Sequence, residues 1–267
     1  SIIAVAVFVA VGIRMITSGD GRTNRYDVEA GNNTYDNAVI ENSKISEKNK
    51  IQNNQSMLDD IMNSTQYPKQ LKDLALKNEE ALEFVFDYPA EHVKENTIDL
   101  TEEASMDSVP LFVQWDKRWG YEKYSGNFFA ASGCGPTTLS MVVVYLTHNR
   151  DASPIAVAKY SKEAGYSVDG SGSSWTLISE GCMHYGVKAK AVALDESRMK
   201  AELDEGHPIV VNVGPGDFTD TGHFMVITGY DDEGFSINDP NSIEKSGKRW
   251  LFKNISSQIR AVWSMYV

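Results

Sequence analysis

The feature that most constrains this chain is a helix with no polar side. From Gly135 to Thr147 the residues Leu139, Met141, Val142, Val143, Tyr145 and Leu146 spread apolar groups around the whole circumference. A surface helix shows one apolar stripe, whereas a helix apolar all round has to be enclosed by other elements. The chain must therefore fold with this helix at the centre of a domain and supply layers to cover it. One further helix begins at Ser153-Pro154, with proline in its first turn, and stops by Gly165; another begins after Ser173 or Ser174 and stops at Gly186. Asp195 caps a short helix that ends at Gly206. After it, Ile209 to Val213, His223 to Thr228, Phe235 to Asn238, Trp250 to Phe252 and Arg260 to Val267 have the composition of strands. Helices first and an antiparallel sheet second predict an α+β domain, with the central helix packed on the sheet, rather than a doubly wound parallel fold.

All five Trp and six of the eight Pro lie beyond Ser105, which sets this packed domain at residues 109–267. Residues 67–108 read as a helical preface, with Leu71, Leu74, Leu82, Val85 and Phe86 at helical spacings. Ahead of it, nine of the forty-nine residues in 18–66 are Asn, with a single Leu and no Trp, Phe, Pro or Cys. So little apolar surface cannot offset the entropy of ordering, and the tract is expected to be a polar linker or stalk. Ile2 to Ile13 is an unbroken apolar run closed by Arg14. Residues 1–17 therefore read as the remnant of a signal peptide or membrane anchor, which puts the domain outside the cytoplasm, anchored or secreted.

Thirty-seven acidic against twenty-five basic side chains give a formal charge of −12. A surface of that sign repels phosphate backbones, so nucleic acid is not expected as a partner. Cys134 and Cys182 are the only two cysteines. They permit at most one bridge and are too few for a Cys-rich zinc site, and neither a metal nor an organic cofactor is implied. An exported chain with so few thiols points to a bacterial source.

The chemistry is expected at Ser132-Gly133-Cys134-Gly135-Pro136-Thr137-Thr138. A thiol between two glycines, where a loop turns into a helix, can be approached closely by backbone and faces the unpaired amides of the first turn. The helix dipole favours the thiolate there, and such thiols reach pKa values of about 3.5 to 7.5. Cys134 is thus the candidate nucleophile. Cys182, inside a helix among Ile178, Met183 and Val187, reads as core filler.

A thiolate needs an imidazole beside it. His148 is at the far end of the same helix, about 21 Å away at 1.5 Å per residue. His92 is in the preface, His184 is a helix residue two beyond Cys182, and His207 sits in the turn before Pro208. That leaves His223, which opens an apolar strand central to the sheet. The turn Asp231-Asp232-Glu233-Gly234 returns the chain so that, with Tyr230 facing Gly234, Met225 faces Asp239. His223 and Asp239 then share one face about 7 Å apart. Asp239 is the candidate for orienting the imidazole, and Asn238 points the other way.

Gln114-Trp115-Asp116-Lys117-Arg118-Trp119-Gly120, the Cys134 segment, Gly222-His223-Phe224 and Asn238-Asp239-Pro240 occur in that order. Together they resemble the papain-like cysteine peptidases of the bacteriocin-processing type, family C thirty-nine, and more closely their stand-alone secreted relatives in Gram-positive bacteria. The resemblance implies a papain-like fold, peptide or protein substrates, Cys134 as nucleophile, His223 as general base and acid, Asp239 as its orienting partner and Gln114 as an oxyanion donor. Two loops are candidates for binding substrate: Gly170 to Trp175, through Trp175, and Gly214 to Gly222, through Gly216 and Gly222. An N-cap followed by a core Trp, and a solvated turn, are the alternatives for them. A cell-wall amidase or endopeptidase, an acyltransferase and a surface binding module without turnover are the rival functions.

Overall fold

The apolar helix is enclosed by residues of the segment that precedes it and by the sheet that follows it. In a computed structural model that describes residues 33–267, the chain divides into two units, Ser1–Asn53 and Asn54–Val267. The apolar run at residues 2–13 lies outside the described residues. Among the described residues no helix is long and apolar enough to cross a membrane.

The first unit is described from Asn33, where α1 (Asn33–Asn63) begins. Thirty-one of the forty-nine residues of the tract expected as a linker are thus helical. It contains neither Pro nor Gly from Asn33 to Asn63, so nothing interrupts the hydrogen-bond ladder, although the side chains from residue 43 to 53 are exposed.

The second unit takes up the last turns of α1. There Met57, Leu58 and the fully buried Ile61 join α2 (Lys69–Lys77) and α3 (Leu82–Glu91) around Leu71, Leu82, Phe84 and Val85. The preface core thus starts before residue 67, in sequence that looks polar because its apolar positions are few. Phe128 and Ala130 belong to the same cluster, which joins the preface to the main domain.

At the centre is α4 (Cys134–Thr147), with Leu139, Met141, Val142, Val143 and Val144 all at 0 % exposure. Each such side chain, fully buried, is worth about 1.5–3 kcal/mol, and this explains why the helix tolerates no polar stripe. It ends at His148, whose left-handed φ of 53° closes the helix while its Nδ1 meets the Ala104 carbonyl at 2.8 Å. On one side lies α5 (Pro154–Glu163), capped by the Ser153 hydroxyl, which accepts from Ala156 N–H at 3.3 Å. On the other is a six-stranded antiparallel sheet. Its strands are β1 (Lys188–Ala191), β2 (Ile209–Val213), β3 (His223–Asp231), β4 (Gly234–Asn238), β5 (Arg249–Trp250) and β6 (Ile259–Tyr266), in the order β1-β6-β2-β3-β4-β5. Phe224, Val226, Val210 and Met265 face the cluster that holds α4; Met225, Ile227, Val211 and Ile237 face a second core with Met199 of α6 (Glu196–Asp204). The α+β class and the central helix on an antiparallel sheet are as the sequence predicts.

Three elements differ. The helix expected from Ser173 or Ser174 to Gly186 is one α-turn, Thr176–Ser179, followed by a 3-10 segment, Gly181–Tyr185. Gly181 is pressed against the Tyr166 ring and Leu177, and a glycine in mid-helix favours the break. The strand expected over Trp250 to Phe252 stops at Trp250, and Phe252–Ile255 is a helical turn. β1 is an additional edge strand, paired with β6.

Candidate active site

Cys134 is the first residue of α4, and Gly133 before it offers no side-chain cap. The first-turn amides are therefore left for a negatively charged group, which the helix dipole also favours. Close packing explains the flanking glycines. A Cβ on Gly133 would lie 2.6 Å from the Phe129 ring, and one on Gly135 would lie 2.5 Å from Ser173 Oγ.

β3 lies at the interior of the sheet and opens with His223, which is buried, as is Asp239 just beyond β4. His223 Nε2 donates to Asp239 Oδ1 at 2.7 Å, which leaves Nδ1 for the sulfur. The same Oδ1 accepts from Asn241 N–H at 2.8 Å, while Oδ2 is buried without a partner among the described residues. The imidazole and the Cys134 sulfur stabilise each other's charged forms. Burial pushes the Cys134 thiol up, but the hydrogen bond and charge of His223, with the N–H groups of Phe224 and Gly135, hold it below its ordinary 9.0. Burial works against the imidazolium as well; the Asp239 carboxylate and then the sulfur outweigh it and raise His223 to about 10. The arrangement therefore favours a thiolate–imidazolium pair.

The other sulfur and the other imidazoles are engaged elsewhere. Cys182 is fully buried in the core, and its burial pushes the thiol up to about 11. His184 stacks on Tyr160 with centroids 4.0 Å apart, His207 meets Glu202 at 3.2 Å, and His92 meets the Tyr88 carbonyl at 2.5 Å.

Cys134 opens into a cleft of about 720 Å³ whose lining includes Trp175, Gly222 and Phe224, with Arg260 as the one charged side chain among the described residues that line it. Trp175 is 47 % exposed and stands edge-on to Trp263. The opposite wall consists of two interlocked hairpins, Lys123–Tyr124 with Asn127–Phe128 and Ser167–Val168 with Gly172–Ser173. Ser125, at a φ of 51°, joins them: its carbonyl accepts from Gly170 N–H at 3.0 Å and its hydroxyl from Gly172 N–H at 2.9 Å.

A second cavity of about 520 Å³ shares Asn127, Ala131 and Thr221 with the first. Gly216 lines this one, and the Gln258 amide occupies the space where its side chain would be. Gln114 also lines it. Its Nε2 donates to Ala130 O at 2.7 Å and its backbone N–H to Pro240 O at 2.7 Å, so the side chain lies beside the segment leading to Cys134, with Oε1 buried and unpartnered. Sequence reasoning missed Arg260, Ser125 and the Phe224 amide, and none of them has a local signature. Among the described residues no three His, Cys, Asp or Glu side chains are grouped as metal ligands.

A thiol, an imidazole and a carboxylate in series at a helix start, on an α+β frame, form an arrangement capable of nucleophilic sulfur chemistry. Residues 106–267 match the model of the Peptidase_C39 like family, and the chain belongs to that family. Solved structures that match include the peptidase domain of Streptococcus ComA, a bi-functional ABC transporter involved in a quorum sensing pathway, at 19% identity and a TM-score of 0.43, covering 59% of this chain and 96% of that one. A C39-like protein from Bacillus anthracis matches at 18% identity and a TM-score of 0.37, covering 60% and 95%. No curated protein matches the chain.

Proposed function

We propose that this chain is a papain-like cysteine peptidase acting outside the cytoplasm, anchored or secreted through its N-terminal apolar run. One observation carries the reading: the Cys134 thiol, at the start of a central helix, is paired with an imidazole whose far nitrogen is 2.7 Å from a buried carboxylate. In that arrangement the Cys134 thiolate attacks a peptide carbonyl carbon, and the Cys134 amide, with Gln114 Nε2 alongside, stabilises the oxyanion. Imidazolium Nδ1–H protonates the amine nitrogen as the C–N bond breaks, leaving a thioester on sulfur and a neutral imidazole. The imidazole then takes a proton from water, whose oxygen displaces the thiolate and releases the acid. Asp239 keeps Nε2 protonated and the ring in place throughout.

The two cavities on either side of Ala131 give an extended chain room on both sides of the scissile bond, and Trp175, Gly222 and Gly216 are the contacts proposed there. Purified protein should be incubated side by side with unstructured peptides and with peptidoglycan. Release of new amino termini from the peptides, lost in Cys134→Ala, is the expected result. Cleavage that persists in Cys134→Ala would refute the reading, and turnover of peptidoglycan alone would move it to cell-wall hydrolysis.

A further inference from the structure

The family match begins at residue 106, yet the turn that carries Asp239 is held partly from the preface. We propose that Glu80 is a positioning residue of the active site: its carboxylate fixes the segment after Pro240, and through that segment it fixes Asp239 against His223. The inference rests on the reading of Cys134, His223 and Asp239 given above.

Glu80 Oε2 accepts from the backbone amides of Ile243 and Glu244 at 2.8 and 3.0 Å, and Oε1 accepts from the Ser242 hydroxyl. One carboxylate thus takes three donors from consecutive residues at the start of the helical turn Ile243–Ser246. Asn78 adds a contact one residue upstream, donating its Nδ2 to Asn241 O at 2.9 Å. The segment in turn grips Asp239. Asp239 N–H donates to Ser246 Oγ at 2.9 Å, Ser242 N–H donates to Asp239 O at 3.1 Å, and Asn241 N–H donates to Asp239 Oδ1 at 2.8 Å. That Oδ1 is the atom that meets His223.

Glu80 is itself firmly placed. Its N–H donates to Asn78 Oδ1 at 3.0 Å, and the next residue, Ala81, is fully buried in the preface core. Hydrogen bonds to a charged acceptor are the strong kind, and removing the acceptor frees three consecutive donors to turn to water instead of holding the segment. The segment would then relax, and Asn241 would no longer hold Oδ1 in register with the imidazole. Glu80 itself lines neither cavity, although Asn241 and Lys245 of the segment it holds line the second, so its loss should act chiefly on the chemistry.

The test uses the full chain carrying Glu80→Gln, alone and combined with Asp239→Asn. Two quantities are read: the pH profile of Cys134 alkylation by iodoacetamide, and kcat and KM on a peptide the native chain cleaves. Expected is a fall in kcat of roughly ten- to a hundredfold with KM little changed, and a shift of the upper inflection of the alkylation profile to lower pH. In the Asp239→Asn background Glu80→Gln should add nothing further, because the group it acts through is gone. A loss of equal size in both backgrounds, or a lower melting temperature with an unaltered profile, would overturn the proposal and make Glu80 a brace. Should Glu80→Gln not fold, Ser242→Ala removes one of the same contacts from the other side and is read identically. Alkylation that shifts in a chain that cleaves nothing sinks the peptidase reading and supports the positioning role; cleavage without the shift does the reverse.

Discussion

Replacing Asp239 by asparagine perturbs the electrostatics of the site with the least change of shape. In the native chain His223 Nε2 is 2.7 Å from Asp239 Oδ1, with the two side chains 7% and 1% exposed, so salt and bulk water screen the pair little. Two unit charges about 4 Å apart at an effective dielectric of about 20 attract by about 4 kcal/mol, close to three decades in an equilibrium constant. The shift of His223 from 6.5 to about 10 corresponds to roughly 5 kcal/mol in favour of the imidazolium, shared between Asp239 and the sulfur. Of the two supports that outweigh burial, the carboxylate is the larger. In Asp239→Asn, burial acts on the ring with only the sulfur opposing it. The imidazole becomes neutral near pH 7, and Cys134 loses the cation that holds its thiol down.

Iodoacetamide reads this directly, with mass analysis of the Cys134 peptide across pH. Native Cys134 should react as a thiolate through neutral pH, with a second inflection near 10, where His223 titrates. In Asp239→Asn the rate at about pH 7 should fall by about 100- to 1,000-fold and the upper inflection should vanish. Stability carries the same signature. A folded-state His pKa raised above its unfolded value contributes stability that is full below about 6.5 and is lost as pH climbs through about 10. Urea unfolding should therefore show a larger cost of Asp239→Asn near about pH 6 than near about pH 10.5. A native-like alkylation rate at neutral pH, or an equal cost at both pH values, would refute the electrostatic account.

The remaining expectations are narrower. At mildly acidic pH, Cys134 should be alkylated at least about a hundredfold faster than Cys182, and Cys182→Ala should keep the cleavage that Cys134→Ala loses; comparable labelling of both thiols would contradict the site. Gln114→Ala should lower kcat by about a hundredfold with KM nearly unchanged if its amide meets the oxyanion, and an unaltered kcat would assign Gln114 to packing alone. Gly135→Ala brings a Cβ to 2.5 Å from Ser173 Oγ, which should cost about 1–3 kcal/mol in unfolding experiments; a neutral result would mean that Ser173 yields freely.

What could be read from the sequence was what is local. Cys134 lies in a glycine-flanked helix start, His223 at the head of an apolar strand and Asp239 before a proline at the end of the next, and each of these is a pattern a few residues long. β1 was not legible, because Lys188-Ala189-Lys190-Ala191 has no β-branched residue and is a strand only through its pairing with β6. The helix over the Asn-rich tract does not show in the polar composition; the absence of Pro and Gly from Asn33 to Asn63 is what permits it. Glu80 and Arg260 could not have been found at all: their roles come from contacts with distant segments, and one acid or base among many carries no mark of its future neighbour.

The His223–Asp239 pairing shows how a correct result can rest on an unforeseen backbone feature. Side chains alternate along a strand, so a slip of one residue in the β3–β4 hairpin would turn Asp239 to the opposite face. The simplest turn, with Tyr230 facing Gly234, sets Met225 opposite Asp239 and keeps His223 on the same face. The chain makes a tighter turn instead: Asp231 pairs with Gly234, Tyr230 with Phe235 and Gly229 with Ser236. Continued unbroken, that register would set Val226 opposite Asp239, facing away from His223. A bulge between Ile227 and Gly229 takes up the extra residue, Thr228, and restores Ile227 to Ile237 and Val226 to Asn238. Whether imidazole and carboxylate meet is therefore decided by one unpaired residue further down the strand, and not by either of the side chains that meet.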